Sequence, residues 1–453
     1  MRSKSPRQKT DNALFGAPVN TRPVEQCDNL HQAFAALPRA CGATAQSDAY
    51  SILYRAITEE VPLILAISGI ASLSNQTRFW INSMIRAGYI AAISTTDALV
   101  YHDGHDSVRP IAKGKHKTAR PVRSVDPAGD DGVYRDNRVI RVYDVGFREE
   151  ILLEQDRVAR WIFQQPEFQH PMTTTERNYR MGKIYDALER ERGVESGLVA
   201  TCYQYGVPIF IGAPGDGSNS LGMLPLRLDH ELNGTPFAFN YDPLGDVLEA
   251  CAYHFWGLFT NPVNDLGILV MGGGVPKNFA LQPEPGLLQI FMLEEGKHEV
   301  RGYKYDIQIT SAPVSDGSLS SCPPSEAVSW GKVDRATFRT TTVSVYGDYT
   351  QLFWPMAYAL FERRREIEAH ANGLTEAKRA KFLRDDAEAR GLLRPQGPPR
   401  LFNQRRALIE QFQKVAGSKR NMARIKERHL GNSELLGTLD ALKKQGALDV
   451  GDI

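Results

Sequence analysis

The segments Val61-Pro-Leu-Ile-Leu-Ala-Ile-Ser-Gly69 and Tyr89-Ile-Ala-Ala-Ile-Ser-Thr-Thr96 decide the fold class of this chain. Each is an apolar run without alternation that ends in small or hydroxylic residues, which is typical of a strand buried on both faces of a parallel sheet. The residues between them, from about Asn75 to Ala87, have helical periodicity, and Gly88 is placed to cap that helix. Strand, helix and strand in this order predict a crossover unit with parallel strands.

The same pattern continues along the chain and predicts an α/β fold. We expect a Rossmann-like open parallel sheet of about six strands flanked by helices. The four further strands are predicted at Val207–Ile211, Leu266–Met271, Lys304–Thr310 and Thr341–Tyr346.

Composition divides the chain into three regions. Residues 1–28 are predicted to form a mobile N-terminal arm, and residues 29–369 a single α/β domain in which 103–138 is a long surface loop. The run Lys113-Gly-Lys-His-Lys117 in that loop is interpreted as a solvated segment, with phosphate contact as the alternative. Residues 370–453 are rich in Arg, Glu, Lys and Ala, and predict a charged extension of exposed helices.

The bulk properties argue against several classes of partner. The chain has 453 residues with 54 Lys and Arg against 53 Asp and Glu, a net charge of +1 that gives no support to nucleic-acid binding. No apolar run reaches the roughly 18 residues of a membrane helix, and no secretory signal is recognised. Five scattered cysteines without a C-x-x-C pair predict reduced thiols in a cytoplasmic protein, and no metal site is expected.

Small, hydroxylic and acidic residues follow each of the six predicted strands. Open α/β sheets bind ligands over the carboxyl ends of their strands, so these residues are candidates for a nucleotide site. The G-x-G-x-x-G fingerprint and the Walker A sequence are both absent. The residues at the strand ends are Ser68-Gly69, Thr95-Thr96, Asp216, Gly272 to Lys277, Ser311-Ala312 and Asp348.

A second feature is the segment Pro324-Ser-Glu-Ala-Val-Ser-Trp-Gly-Lys332. It places Lys332 two residues after Trp330 and six after Glu326. An uncharged lysine amine is a nucleophile that forms Schiff bases, so Lys332 is a candidate catalytic residue. Taken alone, the segment favours an alternative without catalysis, in which Lys332 is a surface lysine after a buried tryptophan.

These motifs together resemble the deoxyhypusine synthase family, especially its bacterial branch, which includes homospermidine synthases. The resemblance covers roughly residues 60 to 365, and the Glu-Ala-Val-Ser-Trp-Gly-Lys sequence is its most specific part. The motifs occur in this order: Ser94-Thr-Thr96, Asp216-Gly-Ser218, Gly272-Gly-Gly-Val-Pro-Lys277, Ser325 to Lys332 and Val345-Tyr-Gly-Asp348.

The resemblance implies a homotetramer with active sites at subunit interfaces and NAD as a bound redox cofactor. Spermidine is oxidised and cleaved to 1,3-diaminopropane, and its aminobutyl group passes as an imine to Lys332. An acceptor amine then displaces the lysine. Glu326 and Trp330 would hold the polyamine through ion pairing and a cation–π contact.

The same resemblance assigns binding residues. NAD contacts fall on Ser68, Gly69, Thr95, Thr96, Asp216, Ser311, Ala312, Asp348 and Tyr349. Polyamine contacts fall on Gly273, Lys277, Asn278, Gly317 and Ser318.

The chain departs from the eukaryotic family pattern at the polyamine site. Asn278 replaces a histidine, Leu319 replaces an acidic residue, and Asn219 lies where an acidic residue is expected nearby. We therefore expect transfer to a free amine, putrescine, to give homospermidine. The alternatives are modification of a translation-factor lysine, as in deoxyhypusine synthesis, and a non-catalytic homologue that binds polyamine or NAD.

Overall fold

The computed structural model describes residues 18–109, 120–291, 301–429 and 434–446. Its centre is a six-stranded sheet in which every neighbouring pair is parallel. The strands, numbered here in chain order, are β1 Leu63–Ile67, β2 Ile90–Thr95, β3 Ile209–Ile211, β4 Gly267–Met271, β5 Tyr305–Thr310 and β6 Thr342–Tyr346. All six predicted strands are confirmed.

The strands are arranged in the order β3-β2-β1-β4-β5-β6. Successive strands are therefore added in one direction from β1 to β3 and in the opposite direction from β4 to β6. The switch point between β1 and β4 is where doubly wound folds bind their ligands. Strands β1, β2, β4 and β5 are buried at every residue, because helices cover both faces. Continuous apolar runs satisfy that environment, which is why they identified the strands.

The helices flank the sheet and fill the connections between strands. Thr173 caps the helix Thr174–Arg192 by accepting from the backbone N of Glu176. The longer helices are Cys41–Thr58, Glu149–Phe163, Thr174–Arg192, Leu198–Tyr205, Ser218–Asn233, Pro243–Phe255, Pro283–Phe291, Tyr349–Asn372, Glu376–Asp385, Leu401–Ala416, Lys419–His429 and Glu434–Lys444. Shorter α-helices are Leu30–Ala36, Ile70–Leu73, Asn82–Arg86, Asp97–Asp103, His105–Val108, Asp131–Asp136, Gly274–Ala280, Pro324–Ala327, Phe338–Thr341 and Ala387–Leu393.

The prediction of one long surface loop over 103–138 is wrong at residues 103–108, which are buried and mostly helical, and most of residues 120–138 are exposed. The helix His105–Val108 is buried, and a small antiparallel sheet follows. In that sheet Arg123–Ser124 and Val139–Val142 both pair with Val145–Arg148. Polar composition misled the prediction because buried ion pairs satisfy several of these charges. The Lys113–Lys117 run lies outside the described residues.

The C-terminal extension is helical over its described residues, but the expectation that it is exposed throughout is wrong. Leu392, Leu401 and Phe412 are buried against the main domain. Arg405 donates from Nε to Glu249, 2.7 Å away, and Glu249 is fully buried. The extension therefore supplies the cation that a buried carboxylate of the domain needs.

The N-terminal arm is described only from residue 18. Residues 18–26 are exposed, but the Thr21 hydroxyl donates to the Ala36 carbonyl at 2.6 Å. Across the described ranges, no helix has the length and apolar character that crossing a membrane requires.

Candidate active site

The register of the sheet brings the predicted strand ends to one edge. Ile67 at the end of β1 is level with Thr95 of β2 on one side and Met271 of β4 on the other. The residues that follow, Ser68 and Gly272, therefore emerge side by side at the switch point. The structure thus brings together residues as far apart in the sequence as Ser68 and Tyr349, which are separated by 281 positions.

Ser68, two glycines and Tyr349 meet over the switch point. The Ser68 hydroxyl donates to the Tyr349 hydroxyl at 3.3 Å. Gly272 and Gly273 have φ of +69° and +80°, a region that favours glycine. A Cβ at Gly272 would lie 3.6 Å from Ser68 Oγ and 3.7 Å from the Tyr349 ring. Without side chains at 272 and 273, the backbone is open to a ligand here.

Gly69, Thr95 and Thr96 form the neighbouring part of the edge. Thr95 is fully buried, and its hydroxyl donates to the Ile67 carbonyl at 2.8 Å, so it braces β1 against β2. A Cβ on Gly69 would come within 2.6 Å of Thr96 Oγ1. Thr96 is partly exposed and Thr95 is not, so only Thr96 presents its hydroxyl at the surface of the site.

Asp216 is exposed in a turn, and a buried network behind it fixes that turn. Asp97, which follows Thr96, accepts from the backbone N and the side chain of Asn219 at 3.1 and 3.0 Å. Arg177 donates to the same carboxylate at 2.7 Å, and both side chains are fully buried. Asp97 thus ties the end of β2 to the segment that follows β3.

The ends of β5 and β6 complete the edge. Ser311 is exposed and Ala312 is partly exposed, and the Ala312 amide donates to the Thr310 hydroxyl at 3.2 Å. Asp348 is exposed, and its Oδ1 accepts from the Thr350 amide at 2.7 Å, which caps the helix Tyr349–Asn372. The other carboxylate oxygen of Asp348 accepts no hydrogen bond from the described residues.

Lys332 lies beside Trp330, as the motif suggested. Its Nζ is 5.7 Å from the centroid of the Trp330 ring, within the range of a cation–π contact. Lys332 is partly buried, whereas Trp330 is 66% exposed. The alternative of a surface lysine after a buried tryptophan is therefore wrong about the tryptophan. Gly331 has φ of +70°, which turns the chain between the two side chains. Glu326 is exposed on the preceding helical turn.

Lys277 was predicted to bind substrate, but the structure buries it beneath the loop that leads to the Lys332 motif. It is 2% exposed, and its Nζ donates to Gln308 at 2.6 Å and to the carbonyls of Leu319 and Cys322. An ammonium has three donors, so all of them are used within the protein. The geometry therefore gives Lys277 a positioning role.

The other predicted polyamine residues lie at the surface. Asn278 is exposed on the helix Gly274–Ala280, one residue after the buried lysine. Gly317 and Ser318 are exposed in the loop that Lys277 anchors, where Asp316 Oδ1 accepts from the Ser318 amide at 2.7 Å. Gly273 lies at the switch point beside Ser68.

Lys277→Met should destabilise the protein and loosen this loop. The substitution leaves Gln308 and two carbonyls without their donor, at an expected cost of about 2–4 kcal/mol in the free energy of unfolding. Urea denaturation measures that loss, and hydrogen exchange over 316–323 measures the loop. Lys304→Met is the control, because Lys304 forms partly exposed ion pairs and should lose less than about 1 kcal/mol. A substrate-binding role would instead raise KM and leave stability unchanged.

Two buried carboxyl groups near the motif were not predicted. Asp306 is 1% exposed, and burial raises its pKa to about 7 while the nearby Lys277 ammonium opposes the shift. Burial also raises the pKa of Glu284, whose Oε1 is 3.3 Å from His254 Nε2. Burial lowers the pKa of Lys277, and Asp306 offsets part of that effect. These groups form a polar layer under the loop.

One sequence signal could have revealed this layer. The alternation of β5 puts Asp306 and Gln308 on one face, which normally indicates a face exposed to solvent. All six residues of β5 are buried, so those polar side chains face buried partners instead. Asp97 and Arg177 carried no comparable signal, because they are 80 residues apart in the chain.

Comparisons with known proteins agree with these motifs. The family model for deoxyhypusine synthase matches residues 29–360. A deoxyhypusine synthase-like protein of Thermosynechococcus vestitus is 32% identical over 348 residues, which covers 76% of this chain and 81% of that protein. Proteins of the same name from a Cyanothece species and from Nostoc punctiforme are 34% and 35% identical. They cover 74% and 65% of this chain, and the matches span 77% and 70% of their own lengths.

In the described part of the chain, no group of three or more His, Cys, Asp or Glu side chains is arranged to hold a metal ion.

Proposed function

Since the chain belongs to the deoxyhypusine synthase family, we propose that it transfers the aminobutyl group of spermidine through an imine of Lys332 to the free amine putrescine. The products would be homospermidine and 1,3-diaminopropane. The observation that carries this proposal is Lys332 itself. It is partly buried beside Trp330, and its Nζ makes no hydrogen bond or ion pair within the described residues.

NAD is the cofactor of this family, and the switch-point edge fits a dinucleotide. Gly272 and Gly273 leave room for close approach of a ligand, and the hydroxyls of Ser68, Thr96 and Tyr349 lie along that edge. Such an edge suits the phosphates and ribose hydroxyls of a nucleotide. The residues that would hold NAD are Ser68, Gly69, Thr96, Asp216, Ser311, Ala312, Asp348 and Tyr349, with Thr95 bracing the strands behind them. When bound, NAD supplies the hydride acceptor for oxidation of the donor amine and returns the hydride at the end.

The side chains around Lys332 support the transfer steps. A neutral Lys332 amine would add to the aminobutyl imine and release 1,3-diaminopropane, so that one carbon–nitrogen bond forms as another breaks. The exposed Glu326 carboxylate can accept the ammonium of the polyamine, and Trp330 offers a π face to the same cation. Putrescine would then displace Lys332 by the reverse exchange.

The altered acceptor region favours a free amine over a protein lysine. Asn278 and Leu319 carry no charge where the eukaryotic pattern has a histidine and an acidic residue, and Asn219 is buried as a partner of Asp97, so the site departs from the protein-modifying pattern at all three positions. The exposed loop with Gly317 and Ser318 is proposed to form one wall of the polyamine site.

We also infer a homo-oligomer, a tetramer by family analogy, with the site at an interface and a cytoplasmic location. Four leucines on the helix Ser218–Asn233 support it, since they recur on one face and are 45% to 78% exposed. This helix follows Asp216 directly. A second copy would cover these leucines. Light scattering of the purified chain measures the oligomeric state.

Incubation of the protein with NAD, spermidine and putrescine, followed by separation of the amines, tests the proposed reaction. We expect homospermidine and 1,3-diaminopropane in equal amounts. Diaminopropane that forms only when a translation-factor lysine is supplied would identify deoxyhypusine synthesis instead. No diaminopropane with either acceptor would contradict the enzyme and favour a binding protein.

A further inference from the structure

A cavity of about 660 Å³ lies between the small antiparallel sheet and the helix Glu149–Phe163. Its walls come from the segment 120–125, from the strands Val139–Val142 and Val145–Arg148, and from Arg109. It is separate from the switch-point edge, and none of the proposed NAD or polyamine residues lines it. Its volume is in the range of small-molecule sites.

Four guanidinium groups line this cavity, from Arg109, Arg120, Arg123 and Arg148, and the carboxylate among the lining residues is that of Glu150. Arginine donors in this number favour an anionic ligand, because a planar guanidinium binds phosphate or carboxylate oxygens in pairs.

Asp106 forms ion pairs with two of these arginines, Arg120 and Arg109. Arg120 donates from Nε to both of its oxygens, at 3.2 and 2.9 Å, and from Nη2 at 2.7 Å. Arg109 Nη1 is 3.9 Å from the same carboxylate, and Arg78 Nη1 is 2.7 Å from it. Asp106 is 4% exposed, and the buried Asp103 carboxylate is 4.0 Å from Arg78 Nη1, so two buried carboxylates face three guanidiniums.

Donors remain unused around the cavity. The buried Nε of Arg109 has no hydrogen-bond partner among the described residues. The side chain of Arg123 has no hydrogen bond or ion pair with any described residue, and Arg148 uses only Nη1, which donates to the Asn137 carbonyl at 3.0 Å. Internal ion pairing therefore does not account for this set of arginines.

Apolar side chains also line the cavity. Phe147 and Ile151 are buried and pack with Leu73 and Val108 in one cluster, while Val125 and Val139 line the cavity beside them. A ligand that fits both the arginines and these apolar side chains carries a compact anion on an apolar body. We propose that this cavity binds a small phosphate ester, with its phosphoryl group on the arginines and its organic part against Phe147 and Ile151. This inference does not depend on the proposed transferase activity.

Phenyl phosphate, inorganic phosphate and phenol are suitable probes for calorimetric titration of the full chain at low ionic strength. We expect phenyl phosphate to bind more tightly than inorganic phosphate, because the ring adds apolar contact, and phenol to show no binding. In the variant Arg123→Gln/Arg148→Gln the Kd for phenyl phosphate should rise about 10-fold or more, since two charge-assisted contacts are lost. Both arginines are exposed, so the variant should fold normally, which its melting temperature checks.

Arg135→Gln is the matched control. Arg135 is an exposed arginine of the same segment, 103–138, and does not line the cavity. The Kd of Arg135→Gln for phenyl phosphate should therefore stay within about twofold of that of the parent. The proposal is overturned if the double variant binds phenyl phosphate as tightly as the parent, which would place the ligand elsewhere, such as at the dinucleotide edge. Absence of binding to the parent, or equal affinity for inorganic phosphate and phenyl phosphate, would overturn it as well.

Discussion

Lys332→Ala is expected to lower aminobutyl transfer by roughly 10³-fold or more, because the variant has no amine to carry the imine. Borohydride added to the parent during turnover should reduce that imine and attach an aminobutyl mass to Lys332. Peptide mass spectrometry locates the mass, and the variant should show none. The variant should still fold, because within the described residues the Lys332 side-chain nitrogen makes no hydrogen bond or ion pair and lies 5.7 Å from the Trp330 ring.

Arg335→Ala is the control for this experiment. Arg335 is an exposed cation three residues further along the chain, and its loss should leave both the rate and the labelling of Lys332 unchanged. Full activity of Lys332→Ala, or borohydride labelling at another lysine, would remove Lys332 from the mechanism.

Arg177→Met should cause the largest loss of stability, about 3–5 kcal/mol in the free energy of unfolding. The substitution leaves the Asp97 carboxylate fully buried without its cation, although Asn219 still donates to it. It also removes the contact of Arg177 Nη1 with the Tyr241 hydroxyl at 2.9 Å. Urea denaturation of the two proteins at pH 7 measures the difference.

Two further variants serve as a control and as a test of the buried charge. Lys183→Met, at an exposed position of the same helix, should change stability by less than about 0.5 kcal/mol. Adding Asp97→Asn to Arg177→Met removes the uncompensated charge and should recover part of the loss. A loss below about 1 kcal/mol for Arg177→Met would mean that the pair does not brace the strand ends.

The sequence predicted the sheet because each strand is governed by local physical chemistry. An apolar run such as Leu63–Ile67 can be satisfied only by burial on both faces, and the glycines and hydroxyl residues after it mark where burial ends. The motif around Lys332 likewise lies in one short segment, so its chemistry was readable before any fold was known.

The sequence was least informative where polar residues are buried. Composition suggested an exposed loop around Asp106 and exposed helices around Arg405, yet both take part in buried ion pairs. The partners of these groups are distant in the chain, so no local pattern distinguishes them from solvated charges. Lys277, which the resemblance assigns to the polyamine site, is buried with its three donors used by partners that are distant in the chain.

What the sequence by itself determined is the set of strands, the family motifs and the candidate nucleophile Lys332, because each depends on residues close together in the chain. Only the tertiary structure decided the strand order, which places the switch point between β1 and β4. It also decided that Thr95 and Lys277 brace the site from within while Thr96 and Trp330 are exposed to it. The physical reason is that burial and charge pairing depend on which distant segments pack together.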